Sequence, residues 1–189
     1  MRDGFVKVGA ATPDILVADC VHNREEIVKK VKEMAEAGTK VMAFPELCIT
    51  GYTCSDLFWQ ELLLVRAKEE LHKLEEELEE VEGLIIVGLP LEFNQKLYNT
   101  AAVISGGKVL GFVPKHHLPN YAEFYEARHF TAGCAFEGMV NWYGREVPFG
   151  QNLLFACEEL PQLVTAVEIC EDLWAPNPPS ISHALKCTT

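Results

Sequence analysis

The sequence has no long hydrophobic run, no paired cysteine motif and no excess of basic residues. No stretch approaches the ~18 consecutive apolar residues of a membrane-spanning helix. Residues 1–20 carry Asp3, Lys7 and Asp14 where a signal peptide would have an apolar core. We therefore expect a cytoplasmic protein with no membrane partner. The formal net charge of -12 also argues against nucleic acid as a partner, because the phosphates would repel the protein.

The seven cysteines are scattered, odd in number and without a C-x-x-C pair. Such a set is not typical of a disulfide framework, and most of these thiols should be small buried hydrophobic groups. The neighbouring His116 and His117 project in different directions and lack zinc-site spacing. The sequence therefore predicts no metal site.

Predicted strands alternate with predicted helices, which indicates an α/β fold for residues 1–189. The strands are expected at Phe5–Ala11, Val41–Phe44, Leu84–Gly88, Asn99–Ile104, Val109–Val113, Leu153–Phe155 and Val164–Ile169. Ser105-Gly-Gly-Lys108 has the composition of a hairpin turn between two of these strands.

Two long helices are predicted between the strands. Asn23 is expected to cap the first, with Glu26 as its capping-box partner and Gly38 as its stop. The second covers roughly residues 60–82, with one apolar face and a run of glutamates expected to form its solvated face.

The last predicted strand lacks a neighbour further along the chain. Only residues 171–189 follow Cys170, and nothing in them returns to the sheet. A strand left without its crossover would expose an apolar edge. We therefore expect the sheet to be incomplete at the C-terminus and the chain to be truncated.

Three groups that could carry chemistry follow predicted strands. Glu46 and Lys115 each come after a strand and a proline, and Cys170 comes at the end of a strand. Strand ends are where α/β folds place their sites. A partly desolvated carboxylate can shuttle protons, and a nearby cation or helix N-terminus lowers the pKa of a thiol. Taken singly, Glu46 could be a turn cap and Cys170 a structural cysteine.

The three groups together resemble the nitrilase, or carbon–nitrogen hydrolase, superfamily, whose triad is Glu–Lys–Cys. The flanking residues match as well, in Phe44-Pro-Glu46, Pro114-Lys-His-His-Leu118 and Glu168-Ile-Cys-Glu-Asp172. The resemblance implies an αββα four-layer sandwich and a homo-oligomer. It also implies that Cys170 is the nucleophile, Glu46 the general base and Lys115 the oxyanion stabiliser.

Two segments, 47–58 and 118–130, resemble more narrowly the glutaminase domain of glutamine-dependent NAD synthetases. This resemblance implies glutamine as the substrate and no cofactor for the domain itself. It also implies a C-terminal synthetase domain in cis, which would use ATP and Mg to amidate deamido-NAD. Ser105-Gly-Gly107 imitates the start of that domain's ATP-binding loop, but it lacks the following Asp-Ser and lies in a predicted hairpin.

The same resemblance assigns substrate-binding roles to Tyr121, Phe124, Glu126 and Trp174. Glu126 would receive the α-ammonium of glutamine, with Glu123 as the alternative. For Phe124 and Trp174 the alternative is packing in the core.

Two other functions remain open at this point. One is a free-standing nitrilase-superfamily amidase that acts on another small amide, and the other is an inactive fragment.

Overall fold

The computed structural model describes residues 4–136, 138–186 and 188. The strands are β1 Val8–Ala10, β2 Val41–Ala43, β3 Leu84–Phe93, β4 Lys96–Ser105, β5 Lys108–Pro114, β6 Gly138–Trp142, β7 Arg145–Phe149, β8 Phe155–Ala156 and β9 Val164–Thr165. The α-helices are α1 Cys20–Glu36, α2 Glu61–Glu77, α3 Glu126–His129, α4 Glu171–Trp174 and α5 Pro179–Ala184, and a 3₁₀ segment covers Tyr52–Trp59.

Seven strands form one mixed sheet in the order β1-β2-β3-β4-β5-β7-β6. β1, β2 and β3 are parallel, whereas β3, β4 and β5 form an antiparallel meander. β7 pairs in parallel with β5 and antiparallel with β6. β8 and β9 form a separate two-stranded antiparallel sheet. Glu46 follows the carboxyl end of β2, and Lys115 follows the carboxyl end of β5.

Side chains alternate between the two faces of the large sheet, as the pleat requires. On one face, Ile85, Val87, Ala102 and Ile104 pack with apolar residues of α1 and α2. On the other, a smaller cluster contains Ala101, Val103, Val113, Val167 and Ile169, with Leu153 and Phe155 against it. One face therefore carries the helix layer and the other carries the β8–β9 region. This mixed α/β arrangement confirms the predicted fold class.

Two predicted strands are much shorter than expected, and the first of them, Phe5–Ala11, is reduced to Val8–Ala10. Val164–Ile169 was predicted to be continuous, but only Val164–Thr165 pairs, with Ala156 and Phe155 of β8. Residues 166–169 instead run without ladder pairing over the sheet, and Val167 and Ile169 are buried against it. Apolar composition predicts burial correctly here, but burial alone does not supply a neighbouring strand.

The predicted cap of α1 is wrong. The helix begins at Cys20, and the Asp19 side chain accepts the backbone N–H of His22 at 3.1 Å. Asn23 lies inside the helix, where its fully buried amide donates to the carbonyls of Leu16 and Ile49. Asn23 therefore fastens two loops to the helix, a tertiary use that the capping pattern does not reveal. The predicted stop is confirmed, since Gly38 follows the helix end with φ +80°.

The glutamates of α2 are not all solvated, which corrects the expectation for this helix. Glu70 and Glu75 are buried at 0% and 2% exposure. Glu70 pairs with Arg24 of α1 at 2.8 Å and with Lys73 at 2.7 Å. A buried carboxylate is tolerated when such partners compensate its charge. Periodicity identifies the buried face of a helix, but it does not show which acidic residues find partners there.

Glu75 has a set of four donors. Its carboxylate accepts Trp142 Nε1 at 2.6 Å, the backbone N–H of Val109 at 2.6 Å and Arg145 at 2.5 Å, and it contacts His72 at 3.1 Å. These bonds connect α2 to β5 and to the β6–β7 hairpin. Glu75 therefore fastens the edge of the large sheet to the helix layer.

The hairpin at residues 105–108 is confirmed. Gly106 and Gly107 have φ of +52° and +66°, and Ser105 pairs with Lys108. A Cβ on Gly107 would lie 2.8 Å from Glu79 Cα and 2.9 Å from Glu75 O. This turn packs closely on the acidic end of α2, which is an unsuitable setting for a phosphate.

The six described cysteines differ in exposure. Cys20, Cys48 and Cys54 are buried, whereas Cys134 and Cys170 are exposed and Cys157 is intermediate. We expected most of the thiols to be buried, whereas three of the six described ones are. Cys187 lies outside the described residues.

Candidate active site

Glu46 lies in a tight turn that packs on β3. Phe44 continues from β2 by donating its N–H to the carbonyl of Ile86, and Leu47 then turns the chain with φ +53°. A Cβ on Gly88 would lie 2.3 Å from Leu47 N and 2.9 Å from Glu46 C. Only glycine at position 88 lets the Glu46 turn approach β3 this closely.

Lys115 follows β5 directly, and its backbone is bonded on both sides. Its N–H donates to the carbonyl of Asn99 at 2.8 Å, and its carbonyl accepts the N–H of Gly133 at 2.8 Å. The Lys115 side chain is fully buried, with Nζ 2.6 Å from Glu46 Oε1 and 2.7 Å from Glu126 Oε1. The ammonium therefore lies between two carboxylates.

The two carboxylates keep Lys115 charged. Burial by itself would lower the pKa of Lys115, but the charges of Glu46 and Glu126 and their hydrogen bonds outweigh it and raise the pKa above its usual value. Lys115 is therefore a permanent cation near neutrality, not a proton donor or acceptor.

Glu126 begins α3 and is 4% exposed. Its Oε1 accepts the Tyr52 hydroxyl at 2.8 Å as well as Lys115 Nζ. Burial, reinforced by the charge of Glu46, raises the pKa of Glu126 in spite of its lysine and tyrosine donors. The sequence analysis placed Glu126 with the substrate, whereas the structure places it against Lys115.

Glu46 receives a second donor, which the sequence analysis did not single out. Asn99 Nδ2 donates to the same oxygen, Oε1, that binds Lys115. Among the described residues no hydrogen bond reaches Glu46 Oε2. One oxygen of the carboxylate is thus held in place while the other is available for proton transfer. The only sequence signal for Asn99 was its position at the start of a predicted strand.

Cys170 lies at a strained turn directly before α4. Its φ of +46° and ψ of -100° are unusual for a residue with a side chain, and Leu173 N donates to the Cys170 carbonyl at 3.1 Å. Cys170 and Glu46 line the same cavity of about 410 Å³, together with Gly88, Ala101, Val167 and Glu168. The cavity lies between the large sheet and the unpaired segment 166–169.

The thiol of Cys170 is not activated in advance. Burial raises the pKa of Cys170, Glu46 and Glu126 raise it further, and Lys115 opposes them only in part. The expected lowering of this pKa by a neighbouring cation comes from Lys115, but burial and the two carboxylates outweigh it. Because two carboxylates accompany the single ammonium, the local charge disfavours a resting thiolate.

The carboxylate of Asp172 joins the segments of the lysine and the cysteine. It accepts the backbone N–H groups of His116 at 3.1 Å, His117 at 2.7 Å and Ile169 at 3.1 Å. His116 follows Lys115 in the chain, and Ile169 precedes Cys170. The quoted motif around Cys170 contained Asp172, but nothing in the motif predicted these partners.

A profile described as carbon-nitrogen hydrolase matches residues 7–186. The chain belongs to the carbon-nitrogen hydrolase family. It is similar to the glutamine-dependent NAD(+) synthetase of Mycobacterium tuberculosis H37Rv, with 39% identity over 188 residues that cover 100% of this chain and 28% of that protein. The corresponding protein of Aquifex aeolicus is 35% identical over 162 residues, which cover 85% of this chain and 25% of that protein. This carbon-nitrogen hydrolase thus spans little more than a quarter of the length of these curated relatives.

Solved structures agree with that similarity. The crystal structure of a glutamine-dependent NAD(+) synthetase from Cytophaga hutchinsonii superposes with a TM-score of 0.80 at 28% identity, covering 88% of this chain and 28% of that one. A mutant of a nitrilase-superfamily amidase from Nesterenkonia superposes with a TM-score of 0.60 at 21% identity, covering 78% of this chain and 56% of that one. The second likeness concerns the fold alone.

The remaining candidate residues of this carbon-nitrogen hydrolase lie near the mouth of the site. Tyr121 is 57% exposed, donates its hydroxyl to Glu171 at 2.9 Å and contacts the half-buried Phe124 with ring centroids 5.7 Å apart. Trp174 is 74% exposed, so it is not a core residue. The Tyr121–Glu171 bond places the 121–126 loop beside the residue that follows Cys170, but Tyr121, Phe124 and Trp174 do not line the cavity that Glu46 and Cys170 share.

Within residues 4–136, 138–186 and 188, no group of three or more His, Cys, Asp or Glu side chains could hold a metal ion. In the same part of the chain, no helix is both long and apolar enough to cross a membrane.

Proposed function

We propose that this chain hydrolyses the side-chain amide of glutamine and forms the ammonia-producing part of a glutamine-dependent NAD synthetase. The observation that carries the proposal is the buried Lys115 ammonium bonded to Glu46, with Glu46 and Cys170 on one cavity. The choice of glutamine rests on the similar proteins, which are named glutamine-dependent NAD(+) synthetases.

In the first half of the reaction, Cys170 Sγ attacks the amide carbon of glutamine as Glu46 Oε2 takes the thiol proton. This coupling suits a thiol with a raised pKa, because no thiolate has to form before the substrate arrives. The C–N bond then breaks, Glu46 returns the proton to the leaving nitrogen, and ammonia departs. A γ-glutamyl thioester remains on Cys170.

In the second half, water attacks the thioester as Glu46 takes one of its protons. The C–S bond breaks, the proton passes to the sulfur, and glutamate leaves. Glu46 thus alternates between base and acid, while Asn99 and Lys115 hold its other oxygen in place.

Lys115 stabilises the tetrahedral oxyanion in both halves. Its charge is assured by Glu46 and Glu126, and one such oxyanion donor contributes about 2.7–4 kcal/mol to lowering a barrier. Glu126 then acts as a positioning residue for Lys115. Its Oε1 is shared by Lys115 and Tyr52, so an α-ammonium of glutamine would have to reach the buried Oε2, which has no hydrogen-bond partner among the described residues.

Tyr121, Phe124 and Trp174 form the proposed glutamine-recognition surface. Their exposure at the mouth suits contact with a ligand better than core packing does. With Glu126 engaged by Lys115, the exposed Glu123 of the same loop becomes the stronger candidate for the α-ammonium.

The proposed role as an ammonia source places further requirements on the whole enzyme. The glutaminase unit, residues 1–189, would need no cofactor. A synthetase domain in cis, with ATP and Mg, would use the ammonia to amidate deamido-NAD. A cytoplasmic location and homo-oligomeric assembly belong to the same proposal.

The experiment is glutamate release from glutamine, measured on protein expressed to its natural stop codon. Wild type should turn over, and Cys170→Ala should release no glutamate above background because the covalent route is lost. Equal activity in both would refute the proposal. Turnover of short aliphatic amides in preference to glutamine would favour the free-standing amidase instead. No turnover in a folded wild type would favour the inactive fragment.

A further inference from the structure

Asp172 is a buried carboxylate with an unusual set of partners. It is 1% exposed, and among the described residues no lysine, arginine or histidine side chain forms an ion pair with it. Its charge is compensated instead by the backbone N–H groups of His116, His117 and Ile169. Backbone donors of this kind cannot move away without moving the chain.

These donors flank the two reacting side chains. His116 and His117 are the two residues after Lys115, and Ile169 is the residue before Cys170. A single carboxylate therefore ties the lysine segment to the cysteine segment, although 55 residues of sequence separate His117 from Asp172.

The same carboxylate holds the strained turn at the cysteine. Cys170 has φ +46°, a conformation that is unfavourable for a residue with a side chain and persists only where its surroundings enforce it. The bond from Ile169 N–H to Asp172 Oδ2, with the return bond from Asp172 N–H to the Ile169 carbonyl at 3.0 Å, closes a loop around Cys170.

We propose that Asp172 is a positioning residue that sets the Cys170 sulfur against Lys115 and the substrate carbonyl. The proposal rests on the glutaminase function proposed above. Asp172 touches no reacting atom, and its effect is to fix the two backbone segments that carry the nucleophile and the oxyanion stabiliser. Displacing such a group by about 1 Å reduces a rate by about 100-fold.

Asp172→Asn is the sharpest variant, because it keeps the size of the side chain but leaves one accepting oxygen. In the native site Oδ1 accepts the N–H groups of His116 and His117 and Oδ2 accepts that of Ile169, with His116 also reaching Oδ2 at a longer 3.5 Å. The single oxygen of an asparagine can accept either from the His116–His117 segment or from Ile169. Its NH₂ group then faces the backbone N–H of the other segment. The lysine and cysteine segments are thereby uncoupled.

The matched control is Asp19→Asn. Asp19 also accepts a backbone N–H, that of His22 at the start of α1, but it lies outside the catalytic groups. With glutamine as substrate, Asp172→Asn should lower kcat about 100-fold with KM changed less than about threefold. Asp19→Asn should keep the wild-type kcat even though both variants lose stability.

A second measurement does not depend on glutamine turnover. Iodoacetamide alkylation of the Cys170 peptide, followed by mass spectrometry across pH, reports the thiol directly. Lys115 lowers the pKa of Cys170, so a sulfur displaced from Lys115 in Asp172→Asn should titrate at higher pH. Asp19→Asn should titrate as wild type does.

The proposal is overturned if folded Asp172→Asn keeps kcat within threefold of wild type, or if Asp19→Asn loses as much. Should Asp172→Asn not fold, Asp172→Glu carries the same test, because it retains the charge while its extra methylene displaces the acceptors. A wild type without glutaminase activity would refute the proposed function alone. The alkylation midpoints would then still decide the role of Asp172.

Discussion

The carboxylate of Glu126 binds the ammonium of Lys115, with 2.7 Å between Oε1 and Nζ. Both groups are buried, and the Tyr52 hydroxyl completes the contact. The loop that was expected to recognise the substrate therefore also helps to build the proposed catalytic centre. Positioning Lys115 and binding the α-ammonium of glutamine are two different roles for Glu126. They predict different changes in kcat and KM when Glu126 is substituted.

The variant Glu126→Gln should lower kcat for glutamine by about 10- to 100-fold with little change in KM. Removing the charge weakens the placement of Lys115, an effect felt in the transition state. A ligand of the α-ammonium would instead raise KM selectively for amino-acid substrates. Steady-state kinetics with glutamine and with a simple amide distinguish the two roles.

Glu123→Gln provides the comparison for that prediction. Glu123 is exposed in the same loop, and the ion pairs of Lys115 among the described residues are with Glu46 and Glu126. We expect its substitution to raise KM for glutamine and to leave kcat near wild type. The reverse pattern, with KM raised only in Glu126→Gln, would return the ammonium to Glu126.

Gly88→Ala should damage both stability and activity. The new Cβ would lie 2.3 Å from Leu47 N, so the turn that carries Glu46 has to shift. We expect a loss of about 1–3 kcal/mol in the free energy of unfolding together with a fall in kcat. Urea unfolding and glutamate release measure the two effects.

Gly106→Ala is the control for crowding at Gly88. Its φ of +52° makes alanine unfavourable by about 1–2 kcal/mol, but a Cβ there meets nothing within 4 Å. It should lose stability and keep its kcat. An active Gly88→Ala enzyme with an unchanged Glu46 would contradict the predicted displacement.

The buried Glu75 should matter for stability and not for chemistry. Glu75→Gln replaces one accepting oxygen with an NH₂ group that faces the donors Trp142, Arg145 and the Val109 N–H. We expect the free energy of unfolding to fall by about 1–3 kcal/mol, because a buried donor is left without its acceptor. Denaturant unfolding followed by circular dichroism gives the value.

The neighbouring Glu76 is exposed and serves as the control for Glu75. Glu76→Gln should change the free energy of unfolding by no more than about 0.5 kcal/mol. Equal effects of the two substitutions would show that the Glu75 donors contribute no net stability.

The alkylation of Cys170 should have a midpoint above the ordinary thiol pKa of 9.0. Burial disfavours the thiolate, and the negative charge of Glu46 adds to the effect. Glu46→Gln removes that charge while Lys115 remains, so its midpoint should move to lower pH. Mass spectrometry of the Cys170 peptide against pH measures both midpoints.

Glu92→Gln is the matched control, since Glu92 is an exposed carboxylate on β3 that does not act on the Cys170 thiol. Its midpoint should equal that of wild type. A Glu46→Gln midpoint at or above wild type would mean that Glu46 does not destabilise the thiolate.

The sequence by itself identified Glu46, Lys115 and Cys170 as candidate groups that follow predicted strands. It also predicted the strands that lead to Glu46 and Lys115. It also determined the hairpin at Gly106 and Gly107. These features depend on local chemistry: apolar alternation selects strands, and consecutive glycines permit a turn with positive φ. Such signals are contained within a few neighbouring residues, so they can be identified without knowing the rest of the fold.

Only the tertiary structure decided which distant groups meet. In the structure Glu126 contacts Lys115, Asn99 contacts Glu46, and Asp172 bonds to the segments beside Lys115 and Cys170. Glu75 is buried, and residues 166–169 have no strand pairing. The tertiary structure also raised the pKa of Cys170 in spite of the lowering by Lys115, because the thiol is partly buried and two carboxylates far away in sequence lie near it. Burial and charge pairing depend on distances across the fold, and no local pattern of residues specifies those distances.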